Sequence, residues 1–241
     1  MSILSVECVS RRFGAVPAVT DLTLSLDRGE VMGFLGTNGA GKTTTIKMLL
    51  GLIRPTAGAV RVMGGDPSDP LVRRRIGYMP ETAYYYPYLT ACELLGFYGG
   101  LCGMDRRSIR ARSAELLERV GLADSARRPL RTYSKGMLQR AGIAQALLPD
   151  PDLLVLDEPF TGLDPLARIQ FRELMRELRA AGKSIFFSSH ELGETELLCD
   201  RVAIMKKGHC LYQGAVRSLT GDGECNLERL FLRVLEKGET A

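Results

Sequence analysis

The 241 residues are 45% hydrophobic and 25% charged, with a formal net charge of +4. That balance suits one sizeable α/β core under a mixed-charge surface and points away from a dedicated nucleic-acid or lipid surface. Six scattered cysteines (Cys8, Cys92, Cys102, Cys199, Cys210, Cys225) form no C-x-x-C pair, and His190 and His209 are the only histidines. A disulfide frame and a His- or Cys-built metal site are thereby excluded, and the expectation is reduced, mostly core thiols in a cytoplasmic protein.

Met1 to Glu7 lacks a charged leader before an apolar core, and no run reaches the roughly 18 apolar residues that cross a bilayer. Any role at a membrane is therefore expected to come through a partner. In chain order, Leu22, Leu24 and Leu26 alternate with polar residues, the period of a half-buried strand, so the N-terminal region reads as antiparallel β-structure. Val31 to Leu35 reads as a buried strand and Thr44 to Leu52 as a helix. Ala59 to Met63 and Ile76 to Met79 follow as short strands. From about residue 90 to 149 the pattern is helical, with Leu116, Leu117 and Val120 on one face and Gly121 as C-cap. Leu153 to Leu156 is a buried strand, and Asp164-Pro165 starts a helix that runs to about Ala181 and stops at Gly182. Ser184 to Ser188 reads as the next strand, and Arg201 to Met205 with His209 to Gln213 as a hairpin around Lys207-Gly208. The tail stripe Leu227, Leu230, Phe231, Val234, Leu235 has helical spacing and serves either core packing or a partner. No internal repeat is present.

Between the first apolar strand and its helix lies Gly36-Thr37-Asn38-Gly39-Ala40-Gly41-Lys42-Thr43, a match to the phosphate-binding pattern G-x-x-x-x-G-K-[ST]. Glycines let the backbone wrap a polyphosphate with its N–H groups inward. Lys42 can reach the β- and γ-phosphates, the Thr43 hydroxyl can ligate Mg²⁺, and the helix that opens at Thr44 turns its positive end to the phosphates. The chain is thus expected to bind a nucleoside triphosphate. Leu153 to Leu156 delivers Asp157 and Glu158 at a strand end. In P-loop enzymes the first such carboxylate holds Mg²⁺ or its water, and a second beside it can take the proton of an attacking water. Strands flank a helical insert between these two motifs, which gives one nucleotide-binding core with a helical subdomain.

Tyr133-Ser134-Lys135-Gly136-Met137-Leu138-Gln139-Arg140 stands about 20 residues before Asp157-Glu158. Alone it is a polar turn that opens a helix, with Ser134 as N-cap. In that position the chain resembles the ATPase subunit of an ABC transporter, over nearly its whole length. The resemblance implies a P-loop NTPase core of mixed β-sheet with flanking helices (RecA-like). Core and antiparallel β-subdomain would occupy about 1–89 and 150–218, the helical subdomain about 90–149, and a C-terminal helix about 225–237.

It also assigns roles. Phe13 would stack on adenine, although alone it reads as a core aromatic. Residues 36–44 would cradle ATP, and Ser134, Lys135 and Gly136 would meet the γ-phosphate held by a second cassette. Glu81, in Gly77-Tyr78-Met79-Pro80-Glu81, would reach Mg²⁺ or water and signal to the membrane partner. Asp164 would lie at the interface between cassettes, though it also serves as a plain N-cap. His190 would contact the γ-phosphate, Glu158 would act as base with Lys42 offsetting charge, and Thr43, Asp157 and Glu81 would organise Mg²⁺. Two departures stand out: Glu81 replaces the common glutamine, and Tyr133, Lys135 and Met137 alter Leu-Ser-Gly-Gly-Gln while keeping Ser134 and Gly136. With the tail Asn226 to Leu232, these variants resemble ABC-2-type exporter ATPases. The implied partners are integral membrane transporter subunits and a second ATPase cassette, an identical chain by preference. The implied place is the cytoplasmic face of the membrane, with no nucleic acid bound. Cassettes acting on nucleic acid or the ribosome usually carry long coiled-coil or zinc insertions, or two tandem cassettes; this chain has neither. A non-hydrolysing regulator would be supported by loss of Lys42, Asp157 or Glu158, and a small-molecule kinase explains neither the Ser134 motif nor His190.

Overall fold

Alternation and apolar runs build two sheets in the computed structural model, which describes residues 2–82, 84–216 and 226–237. The smaller is antiparallel, in the order β2-β1-β4, from β1 (Ser2–Phe13), β2 (Val16–Asp27) and β4 (Ala57–Val62). In β2, Leu22, Leu24 and Leu26 all point inward and the residues between them outward, as the alternation requires. The larger sheet runs β5-β6-β7-β3-β8-β9. Its central strands β3 (Val31–Gly36), β6 (Leu153–Asp157) and β7 (Ser184–Ser189) are buried at every residue, the signature of parallel strands covered on both faces. β5 (Ile76–Met79) extends the parallel pairing, while β8 (Arg201–Lys206) and β9 (His209–Ala215) close the other edge as an antiparallel hairpin.

Two hydrophobic clusters divide the interior. One lies between the two sheets, around Phe34, Met32, Leu4, Leu26 and Phe186. The other joins the opposite face of the large sheet to the helices of the insert and to α6 (Pro165–Ala180) and α7 (Leu192–Leu198). The insert holds α3 (Ala91–Leu101), α4 (Arg106–Arg119) and α5 (Lys135–Leu147). Its start is set by a capping box, in which the Thr90 hydroxyl accepts from Glu93 N while the Glu93 carboxylate accepts from Thr90 N. α6 (Pro165–Ala180) begins, as its Asp-Pro pair predicts, with Asp164 as N-cap and proline in the first turn.

Four local readings need adjustment. The helix expected over Thr44 to Leu52 is α1 (Lys42–Leu49), because Gly51 turns left-handed (φ 66°) and its neighbours leave no room for a side chain. A short helix not foreseen, α2 (Pro70–Arg73), forms because the Asp69 carboxylate caps Leu71 N and Pro70 pre-sets φ. The thiols are not mostly core: among the described residues Cys199 is buried, Cys8 and Cys92 are exposed, and Cys102 and Cys210 lie between. Cys8 is turned out by an irregular stretch of β1, with φ 49°, and Cys92 sits on the solvent side of α3. Cys225 and residues 217–218 lie outside the described residues. The tail stripe forms α8 (Leu227–Lys237), with Leu227 and Leu230 buried and Phe231, Val234 and Leu235 packed on the main cluster, so it serves the core.

Candidate nucleotide-binding and hydrolytic site

β3 leads straight into the glycine-rich loop, and the loop into α1. Gly41, the N-cap, has φ 104°, and a Cβ there would fall 2.6 Å from the Ala18 carbonyl, so only glycine fits. Gly41 has no side chain to cap the first turn, and the leading N–H groups of a helix have no partner within it. They are therefore donors for an anion. Lys42 is buried, and its Nζ donates to the Gly36 carbonyl at 2.6 Å and lies 3.3 Å from Glu158 Oε1.

β6 brings Asp157 and Glu158 to the same end of the sheet. The Thr43 hydroxyl donates to Asp157 Oδ2 at 3.2 Å, and the Ser188 hydroxyl to Asp157 Oδ1 at 2.5 Å. Burial pushes the Asp157 carboxyl above the usual range, against the hydrogen bonds from Ser188 and Thr43, and the neighbouring Glu158 adds to the rise while Lys42 opposes it. The Tyr78 hydroxyl is pushed up to about 12, first by burial and then by Asp157. Glu158 is left-handed, with φ 51°, a conformation that costs a non-glycine residue about 1–3 kcal/mol. It is held there by its N–H, which donates to Ser188 Oγ at 3.0 Å and Ser188 O at 3.2 Å. The turn aims the Glu158 carboxylate back at the loop. Its Oε2 accepts from His190 N at 3.2 Å and lies 2.7 Å from His190 Nδ1.

These groups line one open cleft of about 380 Å³, within the range of small-ligand sites. Its walls include residues 37–44, Glu81, Asp157, Glu158 and His190. A divalent cation suits this donor set, since the Thr43 hydroxyl and a carboxylate whose charge is opposed by burial converge. Among the described residues no cluster of three His, Cys, Asp or Glu could hold a metal alone. A cation bound by one or two carboxylates with phosphate and water oxygens is the habit of Mg²⁺.

The remaining assigned residues lie elsewhere. Phe13 is outside the cleft lining and outside the core; it is 48% exposed at the β1–β2 turn, with the Arg11 guanidinium 4.6 Å from its ring centroid. Val16, Pro17 and Ala18 line the cleft instead. Gly36 lies beneath the loop, where a Cβ would press the Met205 carbonyl. Ser134 caps α5 by accepting from Met137 N at 3.2 Å, and both Ser134 and Lys135 are exposed. Lys135 lies across Gly162, and Gly136 faces the Gly162 carbonyl so closely that a Cβ would sit 3.0 Å from it. Asp164 accepts from Ala167 N at 2.9 Å, the bond of a plain N-cap. Two contributors escaped the sequence reading. Buried Gln139 donates to the Glu158 and Pro159 carbonyls at 3.3 and 3.2 Å. Ser188 braces both acids, and its one visible signal is a hydroxyl pair closing a buried strand behind the apolar run Ile185-Phe186-Phe187.

The family described as ABC transporter matches residues 19–161. The ABC transporter ATP-binding protein NatA of Bacillus subtilis is 40% identical, over 95% of this chain and 96% of its own. Nod factor export ATP-binding protein I of Ralstonia nicotianae is 41% identical, over 90% of this chain and 68% of its own. An uncharacterised ABC transporter ATP-binding protein of Nostoc is 47% identical over 86% of this chain, which spans 62% of that protein's length. The chain spans 60% of a Synechocystis relative. A solved ATP-binding subunit of an ABC transporter superposes with a TM-score of 0.89 at 33% identity, covering 97% of this chain and all of its own. Loop, acidic strand end and His190 meet in one cleft within a fold these relatives share, and the chain belongs to the ABC transporter family as one of its ATP-binding cassettes.

Proposed function

We propose that the chain is the ATP-hydrolysing subunit of an ABC transporter, which couples ATP binding and hydrolysis to export through separate membrane subunits. The observation that carries this reading is the convergence of Lys42, Asp157, Glu158 and His190 on a cleft floored by the glycine-rich loop. The loop N–H groups and Lys42 bind the phosphates. Glu158 takes the proton of the attacking water, held at the right angle by its left-handed backbone and by His190 N–H. Lys42 and His190 then face the charge that develops on the γ-phosphate. Thr43 and Asp157, with Glu81 at the rim, would hold Mg²⁺, which supplies charge neutralisation to the phosphates. Lys42→Ala should weaken nucleotide binding and remove turnover; undiminished ATP hydrolysis by the purified variant would sink the assignment.

Ser134, Lys135 and Gly136 stand outside this chain's own cleft at the start of α5, Ser134 and Lys135 exposed and Gly136 half-buried, where they can complete the cleft of a second, identical cassette. No helix among the described residues is long and apolar enough to cross a membrane. On this reading, coupling runs through membrane partners at the cytoplasmic face. The surface for them is the aromatic loop before α3. Tyr84, Tyr86 and Tyr88 are 94%, 64% and 81% exposed, and Phe97 and Leu101 of α3 are also exposed. Aromatics of this kind anchor protein contacts; Tyr85, by contrast, turns inward against Gly142 and the main hydrophobic cluster. The export direction follows the relatives, one named for Nod factor export and one, at 36% identity, for linearmycin resistance. A photocrosslinker at Tyr88 should capture a membrane-spanning subunit in cells, and capture of none from an intact complex would remove this surface.

A further inference from the structure

We propose that Arg168 is a positioning residue for His190, acting through Glu191 and the Leu163 carbonyl; the inference rests on the ATP-hydrolysis reading above. The His190 side chain is 57% exposed, so packing does not fix it. Its place depends on the backbone on either side. Glu191, the next residue, is the N-cap of α7 (Leu192–Leu198), yet its carboxylate does not cap that helix. Its Oε1 instead accepts from Arg168 Nη2 at 2.9 Å. The Glu191 N–H donates to Ser189 Oγ at 2.9 Å, and its carbonyl accepts from the Thr195 hydroxyl at 2.9 Å. Arg168 stands in the first turn of α6 and donates through Nε to the Leu163 carbonyl at 3.3 Å. One guanidinium therefore ties the loop ahead of α6 to the residue that follows His190. The same loop carries Gly162, against which Lys135 and Gly136 press. The exposed start of α5 is thereby joined, contact by contact, to the histidine beside Glu158.

Arg168 is the first of four rungs. Arg172 pairs with Glu194 at 2.5 Å, Arg176 donates to the Leu197 carbonyl at 3.3 Å, and Arg179 pairs with Asp200 at 2.5 Å. The spacing 168, 172, 176, 179 keeps all four on one face of α6. The lower rungs hold α7 against α6 without Arg168. Loss of the first rung thus releases only the end that bears His190, which separates positioning from stability.

The test compares Arg168→Gln and Arg168→Lys, in the wild-type chain and in a His190→Ala background, with rates taken at high enzyme concentration under excess ATP so that small residual turnover is resolved. Amide exchange of residues 189–192 is measured alongside kcat and KM for ATP. Arg168→Gln should speed exchange there, leave the melting temperature and KM little changed, and lower kcat roughly ten-fold, since small misplacements of a catalytic group carry large rate penalties. Lysine should restore part of the rate, and in the His190→Ala background Arg168→Gln should cost nothing further. Unchanged exchange overturns the proposal, as does an equal loss of kcat in both backgrounds. If the wild-type chain hydrolyses no ATP, the hydrolysis reading fails by itself, and the exchange measurement still decides whether Arg168 orders His190.

Discussion

Asp157 is the side chain in the cleft whose ionisation the fold opposes most openly. Its carboxyl is raised by burial first, and the hydrogen bonds from Ser188 and Thr43 offset that only in part. A raised carboxyl means that the folded chain holds the proton more tightly than the unfolded one, between the ordinary carboxylate pKa and the higher folded value. The contribution to stability is then present at acid pH and is lost as the pH rises through that folded value. Asp157→Asn cannot ionise and keeps an oxygen for Ser188 or Thr43. The variant should melt a few degrees above wild type at neutral pH without nucleotide, and the gap should close toward roughly pH 4. It should also lose the extra stability that ATP with Mg²⁺ confers on the wild type. Thermal melts across that pH range decide it; a variant less stable at neutral pH would mean that the lost hydrogen bonds outweigh the removed charge.

At the scale of elements, the site depends on a contact between a helix and the turn after a strand that are distant in sequence. α5 is capped by Ser134 and, in its second turn, sends Gln139 beneath the turn after β6, where its amide donates to the Pro159 carbonyl and to the Glu158 carbonyl, which also accepts from Thr161 N at 3.2 Å. Gln139→Leu keeps the volume but leaves the Glu158 and Pro159 carbonyls buried without that donor. The cost should be about 2 kcal/mol, read as a lower denaturant midpoint at unchanged slope. An unchanged midpoint would show that water replaces the amide. The same contact marks what was legible. Strand and helix identities followed from period and punctuation, as at Leu22-Leu24-Leu26 or Asp164-Pro165, because these are local effects. The loop, Asp157-Glu158 and His190 were legible because each sits at the end of a strand whose apolar run announces it. Gln139 was not, since its partners lie some twenty residues away and only packing brings them together. The exposure of Phe13 and Cys8 was hidden for a similar reason: which face of an irregular strand points inward is settled by its neighbours, and β1 shifts register several times.

At the scale of the whole molecule, the cleft floored by the glycine-rich loop and the Ser134–Gly136 segment, with Ser134 and Lys135 exposed, lie apart on the chain. A pair of such chains related by a two-fold axis can place each loop over the other's cleft, which makes two complete sites from two incomplete ones. Such a wild-type pair would be opposed by charge, because each site would bury a triphosphate beside Asp157 and Glu158, which are 3% and 6% exposed even in the single chain. Removing one of those charges should favour the closed pair. Glu158→Gln does so at the expense of the buried ion pair with Lys42, whose charge then faces only the phosphates; the residue keeps its size, and its left-handed backbone, already held by Ser188, asks no more of glutamine than of glutamate. Glutamine cannot take a proton, so turnover should fall by roughly 10²–10⁴ while ATP still binds. The wild-type chain should then sediment largely as a monomer with or without ATP and Mg²⁺, and the variant as a dimer only when both are added. Hydrolysis at the wild-type rate would remove Glu158 as the base. A variant that binds ATP, fails to hydrolyse it and stays monomeric would leave the base in place and require a different chain to supply the covering loop.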